Sequence, residues 1–288
     1  MPVEERLAMY QTAVRDHEDD TVAARTKAKG ILVFGMHRSG TSAITRALNL
    51  WGAGISSALL DAQPDNPTGF WEPVGLVALH DAVLAELGSS WDDITALDLA
   101  SLPPDAHEAY RQGLAEILAR DFADASLFVL KDPRMCRLAP LAIEGLRAFG
   151  TEPVAVIAIR HPLEVIGSLG RRAQAPPDWS QLMWLRYVLD AERYTREIPR
   201  IFVSYDHLLT DWRSARGSVE TLLGVHWPLS EDSVSEAVSA FLKPTYRHHT
   251  AGADHLGGNE VLPWGAASLC GAAFCGPQRR RCCVDRNV

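Results

Sequence analysis

Four short, almost wholly apolar segments limit most strongly how this chain can fold. They span residues 31–34, 126–130, 153–159 and 200–204, and a segment with helical periodicity follows each of them. A strand that is apolar on both faces is buried on both faces, as in a parallel sheet covered by helices. The pattern therefore predicts an α/β fold of three layers, with a central parallel sheet flanked by helices.

The periodicity divides the chain into three parts. We expect an N-terminal amphipathic helix within residues 1–29, an α/β domain over residues 30–250 and a C-terminal tail over residues 251–288. The tail is rich in Gly, Ala and Cys and has little amphipathic pattern, so we expect it to be loosely ordered. Within the domain, helices are expected near residues 42–51, 73–88, 105–123, 139–148, 162–173, 179–196, 212–223 and 231–241.

The composition argues against several classes of protein. The 288 residues include 28 Lys and Arg against 36 Asp and Glu, a formal net charge of −8 at pH 7. This balance argues against a protein that wraps nucleic acid or binds an anionic lipid surface, although it allows a local basic pocket. No apolar run approaches the roughly 20 residues of a membrane-spanning helix. The first residues do not resemble a secretory signal and four of the five cysteines crowd the last stretch, so we expect a cytoplasmic protein.

A glycine-rich turn lies where the first predicted strand meets the first predicted helix, and it reads GMHRSGTS over residues 35–42. A helix N-terminus offers unpaired N–H groups and the positive end of its dipole to an anion. The spacing resembles the phosphate-binding pattern GxxxxGK[ST], except that Thr41 occupies the lysine position and the cation is Arg38 inside the loop. The candidate residues for binding the anion are Gly35, His37, Arg38, Ser39, Gly40, Thr41 and Ser42. The alternative is a tight glycine turn that binds no ligand.

This loop resembles the 5′-phosphosulfate loop of the sulfotransferases that use 3′-phosphoadenosine-5′-phosphosulfate (PAPS). The family's loop reads [K/R]-S-G-T-[T/S], which residues 38–42 match, and the version GMHRSGTS is similar to bacterial members and carbohydrate-modifying relatives. A second match follows the third predicted strand, where Arg160, Pro162 and Ser168 resemble the family's 3′-phosphate motif. The resemblance covers roughly residues 30–210. It implies a P-loop-type fold and PAPS as co-substrate, with no metal required.

The second motif has a simple chemical rationale. The predicted strand delivers Arg160 to the carboxyl edge of the sheet, where ligands bind in folds of this kind. Pro162 begins a helix from which Ser168 can face the same phosphate, and two arginines at 171–172 lie one turn further on. An ATP-dependent enzyme has no use for this second phosphate site. The alternative for Arg160 is a surface salt bridge.

The fourth predicted strand ends in residues 202–206, Phe-Val-Ser-Tyr-Asp, and resembles the strand of the family that ends in a tyrosine and an acid. By that resemblance, Tyr205 lies near the adenine of the bound nucleotide. An equally good interpretation is a strand-end tyrosine that packs on the sheet.

Sulfuryl transfer needs a base for the acceptor hydroxyl, positive charge on the transferring group and in-line alignment. Arg38 and Lys131 are the candidate cations, and cytosolic family members carry a lysine at the strand end that corresponds to Lys131. The alternative for Lys131 is a structural pair with Asp132 or another nearby acid. The candidate base is Glu72, because other branches of the family use a glutamate downstream of the loop, although a helix-start acid would look the same. Asp132 is the second candidate for the base, and His80 is a distant third.

These features predict a sulfotransferase that moves a sulfuryl group from PAPS to a hydroxyl of a carbohydrate, glycolipid or secondary metabolite. The expected partner is thus a small-molecule or glycan acceptor, with no nucleic acid involved. One alternative is a P-loop small-molecule kinase, in which Asp132 is a magnesium-binding acid at a strand end. Against it stand the missing loop lysine and the presence of Arg160 with Ser168. A second alternative is a nucleotide-binding protein without catalytic activity.

Overall fold

A computed structural model describes residues 27–64, 66–173 and 175–243 of the chain. The predicted N-terminal helix and the predicted loose tail both lie outside these described residues, so both stay predictions. None of the helices in the described part of the chain has the length and apolar character that crossing a membrane requires.

The sheet of the described residues has four parallel strands in the order β2-β1-β3-β4. Its central pair, β1 and β3, is thus flanked by β2 on one edge and β4 on the other. Each strand falls where an apolar run predicted it, within a few residues. The strands are β1 (Lys29–Phe34), β2 (Leu127–Lys131), β3 (Glu152–Ile159) and β4 (Arg200–Ser204).

Helices cover both faces of the sheet. Alternate residues of β1 enter two separate cores, with Ile31 and Val33 in one and Leu32 and Phe34 in the other, because successive side chains of a strand point to opposite faces. All four residues are fully buried. The prediction of an α/β fold with a central parallel sheet between two helical layers is therefore confirmed.

The eight predicted helices of the domain are present, and the structure adds a ninth among the described residues. The addition is the short helix that follows β4, which begins after Ser204 because the side chain of Ser204 accepts a hydrogen bond from the N–H of His207. The helices are α1 (Thr41–Leu50), α2 (Val74–Glu86), α3 (Pro104–Phe122), α4 (Met135–Ala148), α5 (Pro162–Ala173), α6 (Pro177–Tyr194), α7 (Tyr205–Thr210), α8 (Trp212–Leu223) and α9 (Glu231–Phe241), with one 3₁₀ turn at Leu99–Ser101.

Helix α4 begins four residues earlier than predicted, at Met135. Leu138 has φ −114° and ψ 16° inside it, so the helix is kinked, and Pro140 follows two residues later. The predicted start at residue 139 lies just after this kink. The early start matters because it brings the helix to within three residues of the end of β2, so that only residues 132–134 connect them.

The parallel arrangement brings the carboxyl ends of three strands to one edge of the sheet. The carboxyl ends of β1, β2 and β3 lie side by side, since Val33 pairs with Lys131 and Phe34 pairs with Ile157. Residues that follow each strand therefore meet above this edge, which is where ligands bind in open parallel sheets.

Candidate active site

A cavity opens above the carboxyl edge of the sheet, and most of the predicted site residues line it. The predicted residues in its wall are His37, Arg38, Gly40, Thr41, Ser42, Glu72, Lys131, Arg160 and Tyr205. The wall is completed by Ala43, Asn66, Pro67, Thr68, Phe70 and Pro133. Four predicted site residues lie outside the wall, namely Gly35, Ser39, Asp132 and Ser168.

The backbone of the loop at residues 35–40 leads into the open N-terminus of α1. The first hydrogen bond of α1 runs from the N–H of Ile44 to the carbonyl of Gly40 at 3.0 Å, so the N–H groups of residues 41–43 lie at the open start of the helix. Arg38 has a positive φ of 69°, a conformation that costs free energy for a residue with a side chain. Such strain is concentrated at functional sites.

Gly40 allows the loop to lie directly on the ring of Tyr205. A Cβ atom at position 40 would lie 2.4 Å from Cδ2 of Tyr205, and the residue also has φ +85°. Both the close approach and the backbone conformation therefore require glycine here. Tyr205 is almost fully buried, so its ring packs against the loop, and the residue also lines the cavity.

The donors of the loop suit an anion with several oxygens. They comprise the N–H groups at the start of α1, the hydroxyl of Thr41 and the guanidinium of Arg38. The O–H of Ser42 donates to the carbonyl of Phe70 at 3.1 Å and is not counted among them. The hydroxyl of Ser39 is buried and has no hydrogen-bond partner among the described residues. An unsatisfied buried hydroxyl at the base of such a loop is costly for the protein alone. The residues therefore fit a phosphate or sulfate group.

The two motifs that the sequence predicted as anion sites contact each other. Arg160 donates from Nη1 to the carbonyl of Arg38 at 3.1 Å, and Arg38 donates from Nε to the hydroxyl of Ser168 at 2.8 Å. The guanidinium of Arg160 also lies 5.0 Å from the ring centroid of Tyr205. The end of β3, the start of α5 and the loop after β1 thus form one continuous polar surface.

Glu164 holds Arg160 through Nε, and neither sequence motif includes this residue. Its Oε2 accepts from Arg160 Nε at 2.8 Å, and its side chain is almost fully buried. The spacing of four residues at the start of a predicted helix was the available signal, because it places the two side chains on one helix face. The ion pair orients the guanidinium toward the loop and the cavity.

Lys131 and Glu72 form a buried ion pair in the cavity wall. Nζ of Lys131 lies 2.5 Å from Oε1 of Glu72, and it also donates to the carbonyl of Phe70 at 3.0 Å and to the hydroxyl of Ser42 at 3.4 Å. The side chains of Lys131 and Glu72 are 2% and 5% exposed, so the pair is shielded from water. Lys131 is thus paired with an acid, as the alternative interpretation expects, and its partner is Glu72. Both residues also line the cavity.

Trp71 turns the backbone so that both of its neighbours reach Lys131. It has a positive φ of 59°, which is a genuine outlier for so bulky a residue. The carbonyl of Phe70 and the carboxylate of Glu72 both bind Lys131. The strained residue therefore lies between two groups that contact the same buried cation, and nothing in the local sequence pattern signalled it.

Asp132 lies behind the cavity wall instead of in it. Its Oδ2 is 2.6 Å from Nδ1 of His80 and its Oδ1 is 3.0 Å from Nη1 of Arg134, and the carboxylate is fully buried. Burial raises the pKa of Asp132, but the hydrogen bond and charge of His80 and the charge of Arg134 outweigh it and hold that pKa well below its usual range. His80 in turn contacts the hydroxyl of Tyr110 at 3.1 Å. Neither Asp132 nor His80, the second and third candidates for the base, faces the cavity.

Contacts of His37 and Gly35 attach the loop to neighbouring parts of the fold. The ring of His37 makes edge contacts with Trp91 and Tyr187, at centroid distances of 5.0 and 6.0 Å. Sγ of Cys136 accepts a hydrogen bond from the N–H of Gly35 at 3.0 Å, and burial raises the pKa of this thiol far above its usual range. Within the described ranges, no three His, Cys, Asp or Glu side chains are grouped so that they could hold a metal ion.

Comparison with known proteins gives structural similarity only. No family model and no curated protein matches the sequence. The chain is similar to the sulfotransferase domain from the curacin biosynthetic pathway, with 16% identity and a TM-score of 0.43 over 70% of this chain and 75% of that one. It is also similar to the sulfotransferase domain of the Synechococcus PCC 7002 olefin synthase, with 17% identity and a TM-score of 0.45 over 87% of this chain and 96% of that one. A Mycobacterium tuberculosis H37Rv sulfotransferase is similar with 17% identity and a TM-score of 0.42, over 79% of this chain and 74% of that one. At these identities and TM-scores, the similarity does not identify a reaction for this protein.

Proposed function

We propose that this protein is a sulfotransferase that moves a sulfuryl group from PAPS to a hydroxyl of an acceptor. The observation that supports this most directly is the contact of Arg160 with the carbonyl of Arg38, because it joins two anion-binding motifs in one site beside the Lys131–Glu72 pair. A donor with a phosphosulfate at one end of its ribose and a phosphate at the other needs two such motifs a short distance apart.

In this proposal, the loop of residues 35–42 binds the 5′-phosphosulfate, and Arg160 with Ser168 binds the 3′-phosphate. Ser168 accepts a hydrogen bond from Arg38, which leaves its own O–H as a donor for a phosphate oxygen. Arg160 is oriented by Glu164 before any ligand binds, so little side-chain entropy is lost on binding. Tyr205, whose edge lines the same cavity, is proposed to contact the adenine.

Glu72 is the proposed base, and Lys131 and Arg38 are the proposed cations. Glu72 accepts the proton of the acceptor hydroxyl as the acceptor oxygen forms a bond to sulfur. The bond between sulfur and the 5′-phosphate oxygen breaks, and 3′,5′-adenosine bisphosphate leaves with the electron pair. Lys131 links the base to the loop, because it binds Glu72 and Ser42 together, and it therefore stabilises negative charge on the transferred group as that charge develops.

The acceptor is proposed to be a carbohydrate, a glycolipid or a secondary metabolite with a free hydroxyl. This part rests on the likeness of GMHRSGTS to loops of bacterial and carbohydrate-modifying sulfotransferases. Asn66, Pro67 and Thr68 form part of the cavity wall, and the O–H of Thr68 donates to Oδ1 of Asn66 at 3.2 Å. The remaining lone pairs of these two side-chain oxygens are proposed to accept hydrogen bonds from hydroxyls of such an acceptor. A cytoplasmic location stays a prediction that cell fractionation would test.

Two measurements test the proposed function. Isothermal titration should show tight binding of 3′,5′-adenosine bisphosphate and much weaker binding of ATP with Mg²⁺. Incubation with sulfur-labelled PAPS and a panel of sugars and small alcohols should transfer the label to at least one acceptor. Tight binding of ATP with Mg²⁺ and none of the bisphosphate would support a kinase instead. Binding of the bisphosphate without transfer to any acceptor would support an inactive nucleotide-binding protein.

A further inference from the structure

A row of buried polar side chains lies behind Glu72, and the proposed reaction makes no use of it. The row runs from Arg134 through Asp132 and His80 to Tyr110, and we refer to these four residues as the polar row. We propose that Arg134, held in place by Asp132, is a positioning residue that fixes the carboxylate of Glu72 for proton transfer. The proposal rests on the proposed function, because it takes Glu72 as the base.

The two oxygens of Glu72 have different surroundings. Oε1 lies 2.5 Å from Nζ of Lys131, which is a hydrogen-bonding distance. Oε2 lies 3.9 Å from Nη1 of Arg134, which is an ion-pair distance and too long for a hydrogen bond. Arg134 can therefore attract and orient Oε2 without occupying its lone pairs. Oε2 remains the oxygen that can accept the proton of an acceptor hydroxyl.

Asp132 fixes Arg134 through two hydrogen bonds to the same oxygen. Oδ1 of Asp132 accepts from the backbone N–H of Arg134 at 3.1 Å and from its Nη1 at 3.0 Å. Pro133, between the two residues, restricts the backbone of this turn. Nη1 of Arg134 is therefore held at a fixed place between the carboxylates of Asp132 and Glu72.

His80 and Tyr110 hold Asp132 from the other side. His80 lies on α2 and Tyr110 on α3, so the contacts of 2.6 and 3.1 Å connect the turn after β2 to two helices. Asp132 and His80 are completely buried, and Tyr110 is nearly so. The position of Arg134 is therefore set by the packed interior of the domain.

Stability alone is a poor explanation for this row. Removing a carboxylate from water is costly, and well-packed apolar residues often replace buried ion pairs at no loss of stability. Among the described residues, Glu72 carries the one carboxylate in the cavity wall, and the row ends beside it. A catalytic base must be held within a fraction of an ångström of its productive position. A row of hydrogen-bonded side chains from the interior of the domain to Glu72 can hold its carboxylate in this way.

Arg134 has a second partner that provides a matched control. Asp81 accepts from Nε of Arg134 at 2.6 Å, but its side chain is half exposed, and Nε is not the nitrogen that lies near Glu72. Exposed ion pairs contribute little to holding a side chain. If Arg134 acts through Asp132, removing the charge of Asp81 should matter far less than removing the charge of Asp132.

The test compares Arg134→Met, Arg134→Lys, Asp132→Asn and Asp81→Asn with the unmodified protein. Arg134→Met should lower kcat by about tenfold or more and leave the affinity for 3′,5′-adenosine bisphosphate within about twofold, because only the base is displaced. Arg134→Lys should recover part of the loss, Asp132→Asn should resemble Arg134→Met, and Asp81→Asn should change kcat by less than about threefold. Unchanged kcat in Arg134→Met, or equal losses in Asp132→Asn and Asp81→Asn, would overturn the proposal.

Crystal structures of the unmodified protein and of Arg134→Met, each with 3′,5′-adenosine bisphosphate, provide a readout that does not depend on turnover. The carboxylate of Glu72 should rotate or occupy several conformers in the variant. An unmoved Glu72 would overturn the proposal even if kcat fell. If the unmodified protein transferred no sulfuryl group to any acceptor, the proposed function would fail, and the position of Glu72 in these two structures would still decide whether Arg134 positions it.

Discussion

Nη1 of Arg160 donates a hydrogen bond to the backbone carbonyl of Arg38 at 3.1 Å, although 122 residues separate the two in the chain. The contact joins the end of β3 to the loop that follows β1. It also sets the spacing of the two predicted anion-binding motifs, because the guanidinium that is proposed to bind the 3′-phosphate lies against the loop that is proposed to bind the 5′-phosphosulfate. Binding of the donor should therefore depend on both motifs together.

The first prediction concerns this arginine. Arg160→Ala should weaken binding of 3′,5′-adenosine bisphosphate at least roughly tenfold, because a charge-assisted hydrogen bond contributes about 1.5–3 kcal/mol. It should weaken binding of adenosine 5′-phosphosulfate, which lacks the 3′-phosphate, much less. Isothermal titration measures both affinities, with Arg213→Ala as a control at an exposed arginine that pairs with Glu231. Equal losses for the two ligands would show that Arg160 only supports the loop.

The second prediction concerns the base. Glu72→Gln keeps the shape of the side chain and removes its charge, so turnover should fall about a hundredfold or more while the affinity for 3′,5′-adenosine bisphosphate is kept. Single-turnover transfer from sulfur-labelled PAPS measures the chemical step directly. A variant with normal turnover would remove Glu72 from this role.

The third prediction concerns Gly40. Gly40→Ala should lower the free energy of unfolding by about 1–3 kcal/mol and should also abolish tight binding of the bisphosphate, because a Cβ would displace Tyr205 and the loop with it. Gly88 is the matched control, since it also has a positive φ, of +64°, but a Cβ there would meet nothing within 4 Å. Gly88→Ala should be destabilising without loss of ligand affinity. Denaturant unfolding and isothermal titration of both variants separate strain from the contact with Tyr205.

The fourth prediction concerns the pH dependence of stability through Cys136. Burial raises the pKa of this thiol in the folded protein, so above about pH 8.5 only the unfolded state loses the proton. The free energy of unfolding should then fall by about 1.4 kcal/mol per pH unit through this group, and Cys136→Ala should lack that contribution. Denaturant unfolding of both proteins between about pH 8 and pH 10 measures the difference. A difference that stays constant over this range would contradict the prediction.

The fold could be predicted well from the sequence because its signals are local. A run of apolar residues such as 126–130 indicates a strand buried on both faces, and helical periodicity between such runs indicates the covering helices. The errors also have local causes. Helix α7 is not predicted because its six residues are too few to show helical periodicity in the sequence. The predicted start of α4 is late because the four residues up to the kink at Leu138 form only about one turn, which shows no periodicity either.

The candidate site could be predicted in its parts and not in its connections. Arg38, Glu72, Lys131 and Arg160 all line the cavity, as the motifs indicated. The pairing of Lys131 with Glu72 could not be predicted, because 59 residues separate them and only the packing of the chain brings them to 2.5 Å.

The amino-acid sequence by itself determined which residue types follow each strand, and therefore that anion-binding groups would gather at the carboxyl edge of a parallel sheet. That much follows from periodicity and from the chemistry of a helix N-terminus. Only the tertiary structure decided that Asp132 lies behind the wall and Glu72 within it. Both are acids near an apolar segment, and their surroundings differ because one carboxylate meets His80 in the interior while the other faces an open cavity.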